Sequence, residues 1–125
     1  MAVSVKDMMA AANAVVERID TARAKTLLDQ GGLLLDVRDA VELQQSGRAA
    51  GAHHIPRSML EFRADDALQS HDPELQKDRP VVLYCASGGR AALAGKLLHD
   101  MGYEHIYNMG GLSDWVKGGG DVVDT

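Results

Sequence analysis

The chain has a single cysteine, Cys85, among its 125 residues. No internal disulfide can staple it, and a lone free thiol suits a reducing compartment, so the expectation is a cytoplasmic protein. Aromatic residues are scarce at 4%, which leaves the core to Leu, Val, Ala and Met. No apolar run approaches the ~20 residues of a membrane helix. Met8 to Val16 is apolar, but Asp7 precedes it and Asn13 interrupts it, which argues against a secretory signal. Positive charge is not in excess: 13 Lys and Arg stand against 18 Asp and Glu, a net charge of -5. That balance excludes a general nucleic-acid or anionic-membrane surface, yet allows a small anion at a locally positive turn. The histidines lack ligand spacing: His53 and His54 are adjacent and face opposite ways on a strand, and His71, His99 and His105 pair with nothing. The expectation is therefore no metal site, and thiol chemistry needs no cofactor. There is no internal repeat, and 125 residues suit one core.

What the chain does have is concentrated around Cys85. The apolar run Val81-Val82-Leu83-Tyr84 reads as a buried strand that Cys85 closes. Ala86-Ser87-Gly88-Gly89-Arg90 follows, then a helical pattern from Ala91 to Met101, whose buried face is expected to be Leu93, Leu97, Leu98 and Met101. The amides at a helix start are unpaired and point into the turn before it. Small residues let them approach closely. A sulfur in that turn is placed to carry negative charge. A lone cysteine at a strand end can also be a small hydrophobe, but the strand–turn–helix around Ser-Gly-Gly-Arg favours the reactive reading.

Along the rest of the chain, Ser4 and Asp7 form an acid variant of a capping box for a helix over about Val5 to Val16. The next helix is capped by Asp20 or Thr21 and stopped by Gly31-Gly32. Leu33 to Val37 reads as a strand covered on both faces, broken only by Asp36. Asp39 caps a short helix, Ala52 to Ile55 is a short strand, and Arg57 to Leu68 is partly helical. Gln69 to Arg79 is a polar surface loop, and His105 to Met109 a last strand. Strands alternating with helices call for a mostly parallel sheet with helices on both faces, with sites at the carboxyl ends of strands. The expected organisation is an N-terminal helical extension over 1–19, one α/β domain over 20–118, and a frayed glycine-rich tail over 119–125.

Four segments together resemble the rhodanese family. Leu33 to Arg38 resembles its opening strand motif, and Gly47 to Pro56 its second motif, with Arg48-Ala49-Ala50 where His-Ile-Pro is common. Cys85 to Ala91 is similar to its active-site loop, and Gly110 to Trp115 to its closing motif. The resemblance implies a doubly wound five-stranded sheet and a sulfurtransferase or persulfide carrier. Cys85 would take a sulfur from a small anionic donor such as thiosulfate and pass it to cyanide, a thiol or a protein acceptor. The amides of Ala86, Ser87, Gly88, Gly89 and Arg90 would hold the persulfide, and the Arg90 side chain would pair with the donor's oxygens.

Three further residues are candidates at the site. Asp36 needs a partner in its apolar strand and is expected to brace the active-site turn, through its N–H groups or through an arginine. Arg38 is expected on the face opposite Asp36, so that the two need not pair. Arg57 is either an anion-binding group near the site or a solvated surface residue. The rival functions are a cysteine phosphatase or arsenate reductase, a carrier dedicated to one protein partner, and a non-catalytic binding module. The phosphatase loop is spaced Cys-x5-Arg, whereas four residues separate Cys85 from Arg90.

Overall fold

The structure is a computed structural model and describes residues 2–124. Helix α1 (Val5–Val15) starts at Ser4, whose hydroxyl accepts the Asp7 N–H while the Asp7 carboxylate accepts the Ser4 N–H. The chain then extends through β1 (Glu17–Arg18) and turns at Asp20, the cap of α2 (Thr21–Asp29). Strand β2 (Leu33–Asp36) is buried along its whole length. Helix α3 (Ala40–Ser46) leads to β3 (Arg48–Ala49) and β4 (His53–His54). A 3₁₀ turn (Arg57–Met59) passes into α4 (Leu60–Ala64). Then come β5 (Val81–Cys85), α5 (Gly89–Asp100), β6 (Ile106–Gly111), α6 (Leu112–Lys117) and β7 (Val122–Val123).

Five strands form one parallel sheet in the order β1-β6-β5-β2-β4. From β2 the chain winds outward to β4, and from β5 it winds the other way to β6. The switch in direction therefore falls between β2 and β5, and Asp36 and Cys85 end those two strands. A crevice at the carboxyl edge is the usual place for a site in such a sheet.

The strands are apolar throughout because both faces are covered. Leu33, Leu35, Val81, Leu83 and Cys85 pack in one cluster with Ala91, Ala94 and Leu98 of α5. Leu34, Val82 and Tyr84 pack in the other with Ala24 and Leu27 of α2 and Trp115 of α6. The alternation puts the Cys85 and Tyr84 side chains on opposite faces. Each fully buried Leu or Val contributes about 1.5–3 kcal/mol.

Two expectations change. The buried face of α5 is made by Ala91, Ala92, Ala94, Gly95 and Leu98, while Leu93 and Leu97 are half-buried. Helix α5 lies between the sheet and α1, so small residues are needed for close approach on two sides. The tail, expected to fray, is paired within the described residues, Thr125 lying outside them. Strand β7 pairs antiparallel with β3, the Asp121 carbonyl accepts from Ala50 N–H and from the Trp115 indole N–H, and Gly120 lies against the Trp115 ring, where a side chain would collide. Gly120 there serves close packing, while Gly119 takes the left-handed φ of +91°.

Among the described residues no helix is long and apolar enough to cross a membrane. Nor does any group of three or more His, Cys, Asp or Glu stand where it could hold a metal ion.

Candidate active site

Cys85 is buried at the end of the central strand, and its sulfur caps the next helix. Gly88, the N-cap of α5, offers no side chain to the helix start. Sγ takes that place: it accepts the Gly88 N–H at 3.0 Å and the Ala91 N–H at 3.4 Å. Gly88 has φ +104°, a conformation an L side chain rarely adopts, and this turns its amide onto the sulfur. Gly89 faces open space and has no such constraint. As first-turn residues of α5, Gly89 and Arg90 carry amides with no partner inside the helix. Ala86 and Ser87 are exposed, so the turn faces solvent.

The brace of this turn is Asn108, a buried residue with no signal in its sequence neighbourhood. Its Nδ2 donates to the Gly88 carbonyl at 3.1 Å, and its Oδ1 accepts the Gly110 N–H at 2.8 Å. Strand β6 is irregular beside it: Leu83 pairs with Asn108 but Tyr84 pairs with Gly110, so Met109 is an extra residue. The bulge brings Gly110 and Gly111 against the turn, and a side chain at Gly111 would strike the Ala86 carbonyl. This close approach is the physical content of the glycine pair in the closing motif.

Asp36 plays a different part. It is fully buried and accepts from Tyr84 Oη at 2.6 Å, from the Arg38 N–H at 2.9 Å, and from Arg38 Nε and Nη2 at 3.1 and 2.7 Å. Tyr84 Oη in turn accepts the Ala49 N–H, and Arg38 donates to Ser46 Oγ and the Gly47 carbonyl. Asp36 and Arg38 do pair, against the expectation of opposite faces. Residues two apart share a face of a strand, so alternation itself carries Arg38 to the side of Asp36, and its side chain folds back over the Tyr84 ring. Burial and the Asp36 hydrogen bond push the Tyr84 hydroxyl well above its ordinary range. Asp36 braces the end of β5 through Tyr84, on the face of the sheet opposite Sγ.

Arg90 is not free to turn into the loop. Its Nη1 and Nη2 donate to the two Glu42 oxygens at 2.6 and 2.9 Å. Glu42 Oε1 also accepts the Asp39 N–H at the start of α3, so the acid is fixed from both sides. The Arg90 hydrogen bonds hold the Glu42 carboxyl down at about 2, against an ordinary 4.5. The local pattern reveals Glu42 as a cap residue of α3, but nothing near it in sequence announces Arg90. Arg57, half-buried, pairs with Glu61 across one turn and borders a groove between α1 and α5. His53 is held by Asp72 and His54 by the Arg38 carbonyl.

A buried thiol capping a helix at the switch point of a parallel sheet invites comparison with known proteins. The rhodanese-like domain family matches residues 20–118. A thiosulfate sulfurtransferase of Pseudomonas savastanoi is 30% identical over 100 residues, covering 79% of this chain and 86% of that one. The polysulfide-sulfur transferase homodimer of Wolinella succinogenes superposes with a TM-score of 0.74 at 34% identity, covering 96% of this chain and 87% of that one. A Rhodopseudomonas palustris protein of unknown function, described as a possible tyrosine phosphatase, gives a TM-score of 0.87 at 34% identity, covering 98% and 96%. The four motifs, the order of the sheet and these relatives agree: the chain belongs to the rhodanese-like sulfurtransferase family.

Proposed function

We propose that Cys85 carries a sulfane sulfur between a small anionic donor, of which thiosulfate is the simplest, and an external acceptor. The observation that supports this most directly is the pair of backbone amides on Sγ, from Gly88 and Ala91. Fixed N–H dipoles aimed at a sulfur stabilise negative charge there without reorganisation during the reaction. In the first step the Cys85 thiolate attacks the outer sulfur of thiosulfate. The new S–S bond forms as the donor's S–S bond breaks, and sulfite leaves with the electron pair. In the second step cyanide attacks the outer sulfur of the persulfide, thiocyanate leaves, and the thiolate returns. A thiol acceptor takes the sulfur by the same displacement and leaves as a persulfide. Ping-pong kinetics follow from two such half-reactions.

Cys85 is the only cysteine of the chain, so no internal thiol can resolve the persulfide. A single thiol held this way suits a reducing compartment such as the cytoplasm. The polysulfide-sulfur transferase among the structural relatives supports a sulfane donor, and the thiosulfate sulfurtransferase supports thiosulfate. A phosphatase reading has one relative's description in its favour. Against it, four residues separate Cys85 from Arg90, and both Arg90 terminal nitrogens are bound to Glu42 rather than offered to an oxyanion.

The test is the intact mass of the protein after excess thiosulfate and removal of the small molecule. A gain of one sulfur atom, lost on adding cyanide and absent in Cys85→Ala, is the expected result. No gain in a protein whose Cys85 still reacts with an alkylating agent overturns thiosulfate as donor. Turnover of an aryl phosphate in its place would establish the phosphatase.

A further inference from the structure

Of the arginines near the carboxyl edge of the sheet, Arg38 and Arg90 are held by close carboxylate partners. Arg38 is buried against Asp36, Ser46 and Gly47. Arg90 gives both terminal nitrogens to Glu42. Arg18, at the end of β1, is held otherwise. It meets one Asp114 oxygen at 3.5 Å, a long contact, and 57% of its side chain faces solvent. That same oxygen already accepts the Gly111 N–H at 2.8 Å.

Arg18 starts two strands from Cys85, with β6 between them, and still reaches the active-site turn. The gap is made by Gly110, which has φ +100°. A side chain there would occupy the space of the Arg18 guanidinium, and a methyl group on Gly88 would come within 3.2 Å of Arg18 Nη1. The Gly88 amide is one of the two on Sγ. With the short span of Gly88 itself added, Nη1 lies within about 9 Å of the sulfur. A thiosulfate with its outer sulfur toward Sγ and its oxygens toward the guanidinium bridges that distance. The other side of Arg18 borders an open groove of about 520 Å³, so an anion arriving from solvent meets the charge.

We propose that Arg18 is the residue that recognises the anionic end of the sulfur donor, given that Cys85 is the reacting sulfur. It lies outside the segment 20–118 that matches the family, so the assignment comes from this chain's own geometry. Arginine suits the role because its planar fork pairs with two oxygens at once.

The experiment compares alkylation of Cys85 by iodoacetate, an anion, and by iodoacetamide, its neutral analogue. It uses the full chain and its Arg18→Gln, Arg18→Lys and Arg90→Gln variants. Expected for Arg18→Gln is a fall of about threefold to tenfold in the iodoacetate-to-iodoacetamide rate ratio. The iodoacetamide rate should stay within about twofold, Arg18→Lys should keep part of the ratio, and KM for thiosulfate should rise with kcat held. Arg90→Gln should move the ratio less, because Glu42 already balances that charge. An unchanged ratio in Arg18→Gln, or a larger effect from Arg90→Gln, overturns the assignment. The readout does not need sulfur transfer. A protein that takes no sulfur from thiosulfate yet loses its iodoacetate preference in Arg18→Gln would retain the anion contact and lose thiosulfate as its donor.

Discussion

Two arginine–carboxylate pairs flank the Cys85 strand, and they differ in burial. Arg38 and Asp36 are 2% and 0% exposed, with every neighbour supplied by the fold. Arg90 and Glu42 are 38% and 26% exposed and sit at the edge of the site. The first pair lies on the face of the sheet away from Sγ and ties β2, β5 and β3 together through Tyr84. The second ties the start of α5 to the start of α3. A buried pair costs much to break, because the surviving charge has no water to turn to. An exposed pair contributes little to stability but decides where a charge points. Burial thus separates an arginine that holds the fold from one whose charge is matched by an acid at the edge of the site.

The comparison is sharpest where it is broken. Arg38→Ala should lower unfolding free energy by about 3–5 kcal/mol, read by denaturant titration, because Asp36 is left charged and buried. A loss below about 1 kcal/mol would mean that the Asp36 network repairs itself. Next in size is a contrast between neighbouring glycines. Gly88→Ala should slow sulfur loading about tenfold or more, measured by mass after a short exposure to thiosulfate, since it strains a left-handed residue and shifts an amide on Sγ. Gly89→Ala, facing open space, should leave the rate near that of the parent. Equal effects would show that the amide geometry is not what matters.

Glu42→Gln should have the smallest effect on stability at neutral pH, below about 1 kcal/mol. Its mark is in the acid range. The Glu42 carboxyl is held at about 2 in the folded protein, below its ordinary 4.5. A lowered folded value means stability that is present above 4.5 and lost as pH falls toward 2. Thermal melts of the parent should therefore lose more between those two values than melts of Glu42→Gln. Matching slopes would show that the Arg90 pair contributes nothing to folding.

The sheet and the Cys85 turn were legible in the sequence because their signals are local. An unbroken apolar run, a glycine-rich turn and a capped helix each follow from residues a few positions apart. The family motifs added the order. What was hidden depends on residues that meet from afar. Glu42 lies 48 positions from Arg90, and its acid pattern reads only as a helix cap. Asn108 braces the turn through a bulge that alternation cannot foresee. The Asp36–Arg38 pair was legible too, because residues two apart share a strand face, although the expectation set them on opposite ones. The glycines after Lys117 were read as slack, whereas Gly120 leaves room for Trp115.

One feature of the turn reaches past chemistry into the folding of the molecule. The sulfur of Cys85 is also the acceptor that starts α5, a twelve-residue helix packed between the sheet and α1. Charge at a helix start is worth about 0.3–1 kcal/mol, and more when partly buried. Whatever occupies Sγ therefore alters how firmly the central helix is anchored. Under the proposed function, the melting temperature should report the loading of Cys85 by a shift of a few degrees at most for a domain of this size.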